Sequence, residues 1–88
     1  MAERTVTVAA PEGLHARPAA EFVALAKKQP VKVRVRTESG DFVDAASILK
    51  VMGLGADHGT VIILQAEGEG ADQALQQLGD RVESQGAH

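Results

Sequence analysis

Thr60-Val61-Ile62-Ile63-Leu64-Gln65-Ala66 holds four consecutive strongly apolar residues, the longest such run in the chain. A strand turns its side chains alternately to its two faces, so this run is apolar on both. It is expected to lie inside a sheet. Upstream, Val31, Val33 and Val35 alternate with Lys32, Arg34 and Arg36. That is the pattern of a strand with one face in the core and its cations in water, away from the helices. Arg4-Thr5-Val6-Thr7-Val8 alternates in the same way, and Glu38-Ser39-Gly40-Asp41 reads as a turn into a short strand over Phe42 to Ala45.

Helical spacing fills the intervals. Ala19, Phe22, Val23 and Ala26 mark the buried face of a helix predicted over Ala16 to Lys28. Pro18 fits its first turn, Lys27 and Lys28 favour its C-terminal end, and Gln29-Pro30 stops it. Ser47 is a good N-cap for the short apolar segment Ile48 to Leu54, which Gly53 and Gly55 close. Ala71, Ala74, Leu75, Leu78 and Val82 line one face of a last helix, over Ala71 to Glu83.

The order is thus strand, helix, strand, strand, helix, strand, helix. One sheet covered on one face by helices is the natural two-layer arrangement. The first helix links two strands that run the same way with another between them, a split crossover. With 88 residues and no cysteine, the expectation is a single domain over residues 1–88, held by its core without disulfides.

Composition excludes several classes. Net charge is −3, against a general nucleic-acid binder. No apolar run approaches the roughly 20 residues of a membrane span, and Met1-Ala2-Glu3-Arg4 does not begin a secretory signal. A soluble cytoplasmic protein is expected. Charge is unevenly spread. Residues 1–40 carry seven Lys and Arg against four Asp and Glu, whereas residues 41–88 carry two against eight. The basic half favours a phosphate or an acidic partner.

That half contains Gly13-Leu14-His15-Ala16-Arg17-Pro18-Ala19-Ala20, with a histidine and an arginine where a helix begins. Such an end presents N–H groups without carbonyl partners and carries partial positive charge, so it attracts phosphate. With His15 at the cap, Ala16 and Arg17 supply outward N–H groups and Pro18 supplies none. A neutral imidazole has a nucleophilic lone pair, and the guanidinium fork of Arg17 matches a phosphoryl group. His15 is therefore the candidate holder of that group. His58, in the turn Asp57-His58-Gly59, and His88, at the terminus, are poor candidates. No metal-ligand spacing and no nucleotide-binding loop occurs, so no cofactor or metal is expected.

The chain resembles the HPr family, the histidine-containing phosphocarriers of the bacterial phosphoenolpyruvate-dependent sugar phosphotransferase system. The resemblance rests on Gly13 to Ala19, on Ser47-Ile48-Leu49-Lys50-Val51-Met52-Gly53-Leu54-Gly55, and on element order and length. It implies an α+β open-faced β-sandwich of four antiparallel strands with three helices on one face. It implies that His15 takes phosphate on Nδ1 from enzyme I, with Arg17 assisting, and passes it to sugar-specific enzyme IIA proteins. The chain would then be a monomeric phosphoryl carrier and not a catalyst. Ser47 matches the position modified by HPr kinase/phosphorylase in some bacteria. Phosphate there would place about −1.5 to −2 charge beside the docking surface.

Ile48, Leu49 and Met52 are the expected docking surface, because a short helix hides only one face. Val51 and Leu54 are assigned to the core. Two positions depart from the family: Glu12 replaces the common Asn or Ser, and Ala46 stands where a lysine often precedes the serine. Two other functions compete. One is a paralogous, nitrogen-related carrier. The other is a regulatory module that binds a transcription factor or enzyme through Ser47 and the apolar patch. A small acid–base enzyme is disfavoured, because the sequence shows no acid paired with His15.

Overall fold

In the computed structural model, which describes residues 1–86, the chain runs β1 (Ala2–Thr7), α1 (Ala16–Lys27), β2 (Val33–Thr37), β3 (Val43–Asp44), α2 (Ile48–Met52), β4 (Val61–Ala66) and α3 (Ala71–Ser84). The expected elements are present in the expected order. Their ends differ: Lys28 is the C-cap of α1 and Gly53 that of α2, which stops short of Leu54, while the strands read over Arg4–Val8, Val31–Arg36 and Phe42–Ala45 run Ala2–Thr7, Val33–Thr37 and Val43–Asp44.

The four strands form one antiparallel sheet in the order β1-β4-β2-β3. The doubly apolar strand β4 is paired on both edges, to β1 and to β2. Because β1 and β2 are each antiparallel to β4, they run parallel to one another with β4 between them. The α1 connection is thus the expected split crossover.

Register explains why β4 is apolar on both sides. Leu64 lies opposite Arg4 on one edge and Val35 on the other, while Ile63 lies opposite Thr5 and Arg36. Val33, Val35, Ile62 and Leu64 face the helices and are buried, together with Phe22 and Val23 of α1, Val51 of α2 and Leu75, Leu78 and Val82 of α3. Ile63 points to the open face and is nevertheless only 8% exposed. The flanking strands cover it there.

Two charged residues refine the alternation read from the sequence. Arg34 is exposed, as expected, but Arg36 is half-buried, its guanidinium 5.1 Å from the ring centre of Phe42. That stacking holds its stem over the sheet. Arg4 shares the helix-covered face with Val6. It escapes burial by lying along α3, donating to Gln76 O at 2.9 Å and pairing with Asp80 and Glu83 at 3.0 Å each. Gly79 leaves room for it. No helix is long and apolar enough to cross a membrane among the described residues.

Candidate functional site

His15 is the N-cap residue of α1, in extended conformation (φ −131°, ψ 165°). Its position follows from its neighbours. Leu14 is fully buried, and its N–H donates to Ala56 O at 2.8 Å. This fixes the chain against the loop after α2 and leaves the next side chain at the surface. The His15 side chain is 35% exposed. It makes no hydrogen bond to the N–H groups of α1. Its Nε2 instead meets Asp57 Oδ1 at 3.4 Å, the long end of hydrogen-bonding distance.

This acid corrects the expectation that His15 has none beside it. Asp57 lies 42 residues away in sequence, in a segment that reads only as a turn. Spacing carries no signal for such a pair; the loop between α2 and β4 brings it in. Gly59 N–H donates to Val8 O at 2.9 Å and Thr60 N–H to Asp57 O at 3.0 Å, tying that loop to the end of β1. Gly13 permits the approach. Its φ is +84°, and a Cβ there would stand 2.7 Å from Ala56 O and 2.8 Å from Asp57 Cα. His15 Cδ2 is 3.2 Å from the same point. The Cδ2–Nε2 edge of the ring therefore faces the loop, and Nδ1 lies on the other edge.

Among the described residues, no backbone carbonyl accepts from the N–H of Ala16 or Arg17, as the phosphate reading requires. The backbone that presents them is not an ordinary first turn, however. Ala16 has φ +49°, in the left-handed region. A side chain costs roughly 1–2 kcal/mol there, and such strain gathers at functional sites. Ala16→Gly is expected to raise stability by up to about 1 kcal/mol, since glycine adopts this φ freely. Urea unfolding measures it, and an unchanged or lowered midpoint would count against strain at this residue.

Arg17 is exposed and makes no contact with the His15 ring among the described hydrogen bonds. It lines an open groove of about 470 Å³ with Glu12, Glu21, Arg81, Ser84 and Gln85. Gln85 Nε2 donates to Pro18 O at 2.9 Å, joining the end of α3 to the first turn of α1. Sequence reading missed Arg81 and Gln85, whose place beside α1 depends on how the last helix packs. Glu12, the departure noted above, thus sits by Arg17.

The second segment lies one loop from His15. Ser47 caps α2, its hydroxyl oxygen accepting from Lys50 N–H at 3.4 Å. Leu49 is 82% exposed, Met52 40% and Ile48 38%. Val51 is fully buried, whereas Leu54 is only half-buried at the rim of the core. His58 is exposed, and His88 lies outside the described residues. Among the described residues no group of three His, Asp or Glu side chains converges as a metal site would require.

Residues 2–84 match the family model PTS-HPr, described as the PTS HPr component phosphorylation site. The chain is 49% identical over 82 residues to the phosphocarrier protein HPr of Streptomyces coelicolor, covering 93% of this chain and 88% of that one. It is also 49% identical over 79 residues to HPr of Haloferax volcanii, covering 89% of each. The crystal structure of HPr-C-His from Thermoanaerobacter tengcongensis superposes with a TM-score of 0.91 at 39% identity, covering 100% of this chain and 98% of that one.

Proposed function

The chain belongs to the HPr family of phosphotransferase-system phosphocarriers, and from that premise we propose that His15 is its phosphoryl acceptor, loaded on Nδ1 by enzyme I and unloaded to enzyme IIA proteins. The supporting observation is the partly exposed ring at the start of α1, with Nδ1 on the edge away from the loop and the N–H groups of the next two residues without backbone acceptors. A phosphoryl group there meets donors that neutralise it without enclosing it. Arg17, exposed two residues on, adds a guanidinium. The group stays accessible to an incoming nucleophile in line with the P–N bond. Residues 1–88 act as one carrier domain in the cytoplasm.

Incubation with phosphoenolpyruvate and enzyme I is expected to give an acid-labile phosphoryl adduct. Mass spectrometry under neutral handling should locate it on His15. An adduct confined to another residue refutes the reading.

Ile48, Leu49 and Met52 serve as the docking patch for both partners. Leu49 is the most exposed of the three, so Leu49→Asp replaces an apolar contact with a charge while leaving the core untouched. It is expected to weaken enzyme I binding by about tenfold or more, with an unchanged melting midpoint. Calorimetric titration with the unphosphorylated chain checks this, and wild-type affinity would remove Leu49 from the interface.

The same patch supports a second, regulatory reading. Phosphate on the Ser47 hydroxyl would introduce about −1.5 to −2 charge beside these apolar side chains. It would thereby alter which surfaces dock there, an HPr kinase/phosphorylase and a transcriptional regulator being the partners implied. A binding activity that survives loss of His15 but not Leu49→Asp would favour it.

A further inference from the structure

The Asp57 carboxylate faces Nε2, the ring nitrogen that the transfer chemistry leaves unused. We propose that Asp57 is a positioning residue for phosphoryl transfer, holding the His15 proton on Nε2 so that the Nδ1 lone pair is always the one presented. This rests on the reading of His15 as the acceptor.

A neutral imidazole has one N–H and one lone pair, and the hydrogen bond made by one nitrogen decides the role of the other. An ionised carboxylate only accepts. Asp57 Oδ1 at 3.4 Å from Nε2 therefore selects the form with the proton on Nε2. Gly13 leaves room on the same edge: a Cβ there would stand 3.2 Å from His15 Cδ2 and crowd the ring edge that carries Nε2.

The pairing also suits both directions of transfer. In loading, the Nδ1 lone pair forms the N–P bond while the donor protein's bond to phosphorus breaks and its electron pair leaves with the donor. The proton stays on Nε2, so the phosphorylated ring carries positive charge, which the carboxylate stabilises. In unloading, a nucleophile of the acceptor protein bonds to phosphorus as the N–P bond breaks; that electron pair returns to Nδ1 and the ring becomes neutral, still protonated on Nε2. No proton enters or leaves. The phosphoryl group and the carboxylate stay on opposite nitrogens, which limits their repulsion.

The Asp57 side chain is 81% exposed, and His15 is its one hydrogen-bonded partner among the described residues, so its removal leaves the fold intact. The test uses the full chain, with histidine labelled with nitrogen-15. In the wild type the neutral ring of His15 should show one N–H-type signal, at Nε2, and one lone-pair-type signal, at Nδ1. Asp57→Ala should draw the two signals together as the tautomers mix. It should also slow phosphoryl transfer both to and from His15 by about two- to fivefold, the scale of an exposed pair. Asp57→Asn, which retains an acceptor oxygen, should restore the tautomer signature. A purely structural role would move the melting midpoint and leave the nitrogen signals alone.

Unmoved nitrogen signals, or unmoved transfer rates, in Asp57→Ala overturn the proposal. A wild-type chain not labelled at His15 overturns the carrier reading itself, and this inference with it. A labelled wild type with an indifferent Asp57→Ala overturns this inference alone.

Discussion

His15→Ala is expected to take up no acid-labile phosphate from phosphoenolpyruvate and enzyme I, a loss of at least about a thousandfold relative to the wild type. Removing the nucleophile of a covalent transfer has effects of this size or larger. No neighbour can substitute. Asp57 is the ring's partner and lies on the edge opposite Nδ1, and Arg17 holds its charge without a usable lone pair. His58 is exposed and adjacent to Asp57 in sequence, so it serves as an internal control: label retained by the variant would implicate it. The variant should fold, because the ring it removes lies at the surface and its backbone anchor is Leu14, not the imidazole. Circular dichroism melting should show a loss of no more than about 1 kcal/mol, as for a surface substitution. Undiminished labelling would end the carrier assignment for this residue.

Gly13→Ala is expected to be the most damaging substitution near the site that leaves every functional side chain in place. Two costs add. The φ of +84° penalises any side chain, by roughly 1–2 kcal/mol. The new methyl also meets backbone, Ala56 O at 2.7 Å and Asp57 Cα at 2.8 Å. Backbone cannot rotate aside as a flexible side chain can, and overpacking of this kind costs about 1–3 kcal/mol. The sum, about 2–5 kcal/mol, should appear as a lowered urea midpoint. Gly55→Ala is the comparison. It has φ +67° but nothing within 4 Å of its Cβ position, so it carries only the conformational cost. The difference between the two variants isolates the contact between the His15 segment and the Asp57 loop. Equal losses would show that the contact contributes nothing. Because the loop must retreat from Gly13, the variant should also lose the His15–Asp57 pairing.

Valines 33 and 35 against Arg34 describe a strand because side-chain direction repeats every two residues. Ala19, Phe22, Val23 and Ala26 describe a helix face for the corresponding reason at a longer period. The doubly apolar Val61 to Leu64 placed its strand inside the sheet without reference to any partner. Only β2 and β1 alongside it explain how Ile63 can be covered on the open face. Arg36 shows the limit of alternation. The pattern assigned its side correctly, but its stacking on Phe42 depends on a turn whose geometry no period describes.

At the site the same division holds. That His15 stands at a helix start, with Ala16 and Arg17 next to it, is legible because capping depends on a few consecutive residues. The exposure of Leu49 beside the burial of Val51 follows from a five-residue helix with one face to hide. The groove lined by Arg17 and Arg81 and the carboxylate at Nε2 require segments far apart in the chain to arrive together; the left-handed Ala16 is illegible in the sequence because alanine disfavours that conformation.

By itself, then, the sequence determined the elements, their order, the interior strand and the histidine that begins the first helix, because each is encoded in residues within a few positions of one another. The tertiary structure alone decided which nitrogen of that histidine has a partner. The loop carrying Asp57 reaches His15 across 42 positions, through a glycine whose missing side chain is the space it occupies.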